Sequence, residues 1–146
     1  MSEKYYITWD EMKKIKLDCS EFDLLIGLSR GGLVPTQVLA YQNNIRNIIT
    51  LSCSSYNDQD KTDVVLLEGI IENSLKIKKA EKILIVDDIC DTGDTLNAVE
   101  KAIQDIRNEK ETYDKYVFVN KNPNMEKLNY TLDLSREGWI VFPWDE

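Results

Sequence analysis

Histidine is absent from the chain. Without imidazole there is no Ser–His–Asp or Cys–His nucleophile and no histidine-held zinc hydrolase centre. Cysteine is scarce: Cys19, Cys53 and Cys90 show no zinc-ligand spacing, and an odd count suits reduced, structural thiols. Glycine and proline number only six and three, and no low-complexity linker or repeat divides the chain. No uninterrupted apolar run approaches the ~18 residues of a membrane-spanning helix. The stretch Met1-Ser2-Glu3-Lys4-Tyr5-Tyr6 lacks the basic-then-apolar layout of a signal peptide. The expected location is therefore cytoplasmic, with no stable membrane insertion. Positive charge is also in deficit, 18 Lys and Arg against 26 Asp and Glu, for a net charge of −8. An acidic surface repels phosphate backbones, which excludes nucleic acid as a nonspecific partner. Any anion must be met by a local pocket.

What is present fits one domain over residues 1–146, 42% apolar and long enough to bury a core without metal or disulfide staples. Thr8-Trp9-Asp10-Glu11 has capping-box spacing, and Met12, Ile15 and Cys19 continue one helical face. The apolar runs Leu24 to Ser29, Ile48 to Cys53 and Ile83 to Asp87 read as buried strands, with Tyr116 to Asn120 and Trp139 to Phe142 as two more. Helices are predicted from Val34 to Gln42, with Pro35 in the first turn, and from about Thr95 to Arg107, with Leu96, Val99, Ile103 and Ile106 on one face. The polar, aperiodic stretch from Tyr56 to Asp63 reads as a mobile loop. Apolar strands alternating with amphipathic helices predict an α/β domain: a mostly parallel twisted sheet flanked by helices. Such folds bind ligands beyond the C-terminal ends of their strands.

The densest chemistry lies at one such end, Val86-Asp87-Asp88-Ile89-Cys90-Asp91-Thr92-Gly93-Asp94-Thr95. A strand leaving through small and hydroxylated residues into a helix points backbone N–H groups at one spot and builds an anion site. Thr92 and Thr95 can add hydroxyl donors, and Gly93 permits close approach. Asp87 and Asp88 would repel a phosphate there unless something intervenes. A hydroxyl-rich sugar and a hard cation such as Mg²⁺ resolve the conflict, since both seek oxygen ligands. A plain strand and capped helix accounts for Thr92 but not for the aspartates. A response-regulator receiver needs its phosphoacceptor two strands later, and only 58 residues follow Asp88. A dehalogenase-type phosphatase spaces its aspartates two apart, whereas these are adjacent.

This string resembles the phosphoribosyl pyrophosphate (PRPP) motif of type I phosphoribosyltransferases, two acidic residues followed by Asp-Thr-Gly-x-Thr. Further strings resemble the bacterial xanthine-guanine phosphoribosyltransferases in the same order. They are Ile7-Thr8-Trp9-Asp10, Ser29-Arg30-Gly31-Gly32-Leu33-Val34-Pro35, Ser54-Ser55-Tyr56 and Trp139-Ile140-x-x-Pro143-Trp144-Asp145. The resemblance implies the type I fold with a small hood, Mg²⁺ as cofactor, PRPP and a 6-oxopurine as substrates, and a homo-oligomer. It places PRPP on Arg30, Gly31, Asp87 and Asp88, on the loop residues Asp91, Thr92, Gly93, Asp94 and Thr95, and on Lys61 of the Tyr56–Asp63 loop. Asp88 would hold the metal. Asp91, Lys121 and Trp139 would face the base, with Ile140 reading it through its backbone. A non-proline cis peptide is implied between Ser29 and Arg30. Asp91, Asp87 and Asp88 are the expected catalytic residues, Asp91 as the group that manages the base proton.

Two departures stand out: Asp94 replaces the family's second loop glycine, and Lys61-Thr62 stands where an arginine is usual. The implied reaction is displacement of pyrophosphate at the anomeric carbon, giving a nucleoside monophosphate in purine salvage. The alternatives are a non-catalytic PRPP or nucleotide sensor and an enzyme for another base.

Overall fold

Three strands in this chain carry side chains apolar enough to be covered on both faces, and they form the middle of the sheet. The structure, a computed structural model, describes residues 3–57, 63–108 and 113–145. Its strands are β1 (Lys4–Tyr6), β2 (Leu24–Ser29), β3 (Ile48–Asn57), β4 (Asp63–Glu68), β5 (Ile83–Cys90), β6 (Tyr113–Asn120), β7 (Leu128–Asp133) and β8 (Trp139–Val141). The helices are α1 (Leu33–Asn43), α2 (Ser74–Lys79) and α3 (Asp94–Arg107). Six strands form one sheet in the order β4-β3-β2-β5-β6-β7, parallel throughout except for β4, which returns antiparallel to β3.

Alternate residues of the central strands feed two cores. Leu25, Leu84, Val86 and Phe118 pack with α1 and the N-terminal segment; Leu24, Ile26, Ile83, Ile85 and Val117 pack with α2 and α3. The predicted face of α3 holds, with Leu96, Val99 and Ile103 buried. The short strands β1 and β8 pair in parallel as a separate two-stranded sheet, the hood, with Tyr5 opposite Ile140. No helix among the described residues is long and apolar enough to cross a membrane.

The capping box forms: Glu11 N–H donates to Thr8 Oγ1 at 3.0 Å and Thr8 N–H to Glu11 Oε1 at 3.3 Å. The helix it was expected to open does not continue to Cys19, because only one 3₁₀ turn, Glu11–Lys14, follows. The reason is competition from α1. Gln42 donates to the Ile15 carbonyl, Asn43 donates to the Leu17 carbonyl, and Asn43 accepts the Cys19 N–H. Those bonds satisfy an extended backbone that a helix would otherwise have satisfied internally. Met12, Ile15 and Cys19 are buried all the same. The loop expected from Tyr56 to Asp63 gives way to strand at both ends, since Tyr56 and Asn57 end β3 and Asp63 opens β4. Its middle, with Lys61, lies outside the described residues.

Candidate active site

The chain turns in opposite directions from β2 and β5. From β2 it passes through α1 to β3 on one side, and from β5 through α3 to β6 on the other. The crevice at such a switch point is where open α/β sheets take ligands. Here it is a cavity of about 660 Å³ whose lining includes Ser29, Arg30 and Gly31 after β2, Asp87 and Asp88 on β5, and Thr95 on α3. Trp144 and Asp145 close it from the C-terminal segment.

Gly31 is set by contact. A Cβ built there would lie 2.0 Å from Asp88 Oδ2, so only glycine lets the clamp loop lie against that carboxylate. The Ser29–Arg30 peptide is cis, as the resemblance implied. The Asp88 backbone N–H donates to Asp87 Oδ1 at 2.8 Å, which orients the Asp87 carboxyl against the strand backbone. Burial pushes the Asp87 carboxyl well above the ordinary carboxylate range, and the charge of Asp88 adds to the shift. Burial likewise raises Asp88, with Asp145 contributing repulsion. None of the ion pairs among the described residues involves either carboxylate. A carboxylate pair held partly out of water carries a desolvation cost that an opposite charge or hydrogen-bond donors would relieve.

The turn from β5 into α3 follows directly. Gly93 takes φ 91°, and a Cβ there would also meet Met125 Sδ at 3.0 Å, so both backbone and space demand glycine. Thr92 Oγ1 accepts the Asp94 N–H at 3.2 Å, and Gly93 rather than Asp91 occupies the N-cap of α3, with no side-chain cap bond. Asp91 is exposed on this loop, so the simple capping role is not the one it fills. Asp94 is exposed as well, directed away from the buried side of the turn.

Beyond the loop, Lys121 N–H donates to the Cys90 carbonyl and Lys121 Nζ to the Gly138 carbonyl, each at 2.8 Å. The lysine thus bridges the end of β5 and the start of the Trp139 string. Trp139 is 68% exposed, with a ring face open to stacking, whereas the Ile140 side chain is 6% exposed and belongs to the core. Among the predicted residues, then, Arg30, Gly31, Asp87, Asp88 and Thr95 share the cavity. Asp91, Thr92 and Gly93 form the turn between β5 and α3, Asp94 opens α3, and Lys121 joins the end of β5 to Gly138, next to Trp139.

A family model described as the phosphoribosyl transferase domain matches residues 10–146. The chain belongs to this family. A purine phosphoribosyltransferase from Pyrococcus horikoshii Ot3 is 27% identical with a TM-score of 0.74, over 98% of this chain and 94% of that one. The Helicobacter pylori xanthine-guanine-hypoxanthine phosphoribosyltransferase is 21% identical with a TM-score of 0.77 over the same shares, 98% and 94%. More distant is the adenine phosphoribosyltransferase of Giardia lamblia, solved with 9-deazaadenine: 12% identity, TM-score 0.58, 75% of this chain and 68% of that one.

Among the cavity residues to which the sequence assigns no role in the site are Trp144, Asp145 and Cys53. Trp144 stacks on Phe142 with ring centroids 4.8 Å apart and meets Trp9 at 6.0 Å. Asp145 Oδ2 accepts the Phe142 N–H at 2.9 Å, closing the last turn. Both stood in the string that carried the resemblance, and only their position across the crevice reveals them as its wall. Cys53 also lines the cavity, and burial pushes its thiol up to about 12, so it stays protonated and is no nucleophile.

Proposed function

We propose that the chain transfers the 5-phosphoribosyl group of PRPP to a 6-oxopurine, giving a nucleoside monophosphate and pyrophosphate in purine salvage. One observation carries the choice of base: Lys121 Nζ rests on the Gly138 carbonyl beside the exposed Trp139 ring. An ammonium only donates hydrogen bonds, so a base stacked on Trp139 and meeting Lys121 must offer an acceptor. A 6-oxo group does; the 6-amino group of adenine does not.

In this reading Arg30 and the backbone at Gly31 take the pyrophosphate, Asp87 and Asp88 the ribose hydroxyls, and residues 91–95 the 5′-phosphate, with Lys61 as a further cation for the pyrophosphate. Among the described residues no group of three or more acidic, cysteine or histidine side chains converges as a self-sufficient metal site. Asp88, with Asp87 beside it, fits a Mg²⁺ that takes its remaining oxygens from PRPP and water. When bound, that ion neutralises charge developing on the leaving pyrophosphate. The purine N9 forms the new bond to the anomeric carbon as the bond to pyrophosphate oxygen breaks. The proton released from the imidazole half of the base passes to Asp91. Most of the acceleration comes from positioning and fixed charge. As part of the same proposal the enzyme is cytoplasmic and works as a homo-oligomer, for which Tyr41, 80% exposed on α1, and Ile71, 84% exposed, leave apolar surface.

The test is turnover with PRPP and Mg²⁺ against guanine, xanthine, hypoxanthine, adenine and uracil. Nucleoside monophosphate should form with at least one of the first three. Tight PRPP binding with no turnover of any base would establish a sensor, and turnover of adenine or uracil alone would reassign the base site.

A further inference from the structure

The turn after β6, residues 120–125, touches both halves of the site. Its Lys121 serves the base end. Its Asn122 reaches the phosphate loop instead, donating through Nδ2 to the Thr92 carbonyl at 3.1 Å. The orientation of that amide follows from its partners, because Asn122 Oδ1 accepts the Asn124 N–H at 3.0 Å. Asn122 is itself held: its N–H donates to Oδ1 of Asn120, which is 5% exposed. Met125 completes the contact by lying against Gly93.

The phosphate loop has few restraints of its own. Its helix carries no side-chain cap bond, and the turn depends on a left-handed Gly93 and the Thr92–Asp94 contact. Backbone N–H groups bind a phosphate well only if they already point at it, and ordering them on binding costs affinity. We infer that Asn122 is a positioning residue that holds the phosphate loop in its binding form, so that neighbouring residues of one turn, Lys121 and Asn122, couple the base subsite to the 5′-phosphate subsite. This rests on the proposed function for the identity of the two ligands. It concerns affinity for the phosphorylated sugar and leaves the chemical step alone.

Asn122→Ser separates the two jobs of the side chain. Serine can still accept the Asn124 N–H, as hydroxyls do in such turns, but it is too short to reach Thr92. It adds no charge near a phosphate. Binding of ribose 5-phosphate should weaken about fivefold, the size expected for one lost hydrogen bond. The KM for PRPP should rise by the same factor, with kcat at saturating PRPP little changed. Binding of inorganic pyrophosphate, which draws on Arg30 and Gly31, should be unaltered, and in the same sample it certifies a folded site. Ribose 5-phosphate binding equal to wild type would reduce Asn122 to a turn residue and overturn the inference, as would an equal loss for pyrophosphate. The readout does not depend on the base. A wild-type chain that binds ribose 5-phosphate but turns over no 6-oxopurine defeats the proposed function while leaving this inference standing.

Discussion

Asp23 and Asp88 are the same residue at opposite ends of the same sheet, and their surroundings treat the charge in opposite ways. Asp23, just before β2, accepts the N–H groups of Glu81 and Lys82, each at 2.9 Å. Burial works against its ionisation, but those two bonds outweigh it and hold the carboxyl below the ordinary range. Asp88 sits at the C-terminal end of β5, where burial raises its carboxyl and Asp145 repels it. One end of the molecule is finished by its own backbone. The other is left electrostatically strained, and in the proposed function a ligand relieves that strain. Substitutions at the two ends should therefore separate stability from function in opposite senses.

The largest effect is expected at the open end. Asp91→Asn keeps the size and polarity of an exposed loop side chain that caps nothing. General acid–base work typically contributes about 10²–10⁴-fold. Turnover should fall by that order, with melting temperature and PRPP affinity near wild type. Retention of most activity would return proton handling to water and make the loop a binding element only.

Asp88→Asn should divide the two properties within one variant. The folded carboxyl is raised above its usual 3.8, so the folded state holds the proton more tightly than the unfolded one. Its penalty on stability is fully present above the folded pKa and disappears as pH falls toward 3.8. Asparagine removes the penalty, so the ligand-free variant should melt higher than wild type at pH 7 and match it in strong acid. PRPP affinity in Mg²⁺ should drop about 10–100-fold, as when a group serving a metal site is lost. A lower melting temperature at pH 7 would make Asp88 a structural partner like Asp23 and erase the contrast between the ends.

The contrast also bears on what the sequence discloses. β2, β5 and α3 were legible because burial leaves an apolar pattern, and the 87–95 loop was legible because its chemistry is contiguous. β1, β4, α2 and β7 were not. Each is short or half exposed, and β7 mixes intermediate and exposed residues without a regular period, so that its strand character comes from pairing with β6. Asn122 looks like an ordinary loop asparagine until it meets Thr92, 30 residues away in sequence. The expected helix through Cys19 failed for a related reason, since bonds from Gln42 and Asn43 replaced the helical ones. Pairings between distant segments leave no local period to read.

The smallest effect, and the sharpest control, belongs to the closed end. In Asp23→Asn one oxygen can still accept a backbone N–H, but an NH₂ group replaces the other acceptor and the charge is gone. Asp23 is exposed, and solvent screens its charge, so the loss at pH 7 should be only about 0.5 kcal/mol. A depressed folded pKa gives stability that is present above the unfolded value and lost as pH falls through the folded one. Wild type and variant should therefore differ by about 1–2 °C at pH 7 and converge below pH 3.8. That is the same convergence in acid expected of Asp88→Asn, approached from the other side. The kcat/KM for base and PRPP should be unchanged, because Asp23 lies at the far end of β2 from Arg30 and the cavity. A fall in kcat/KM alongside the small loss of stability would mean that strain at the closed end reaches the open one through β2, and that the two ends are not independent.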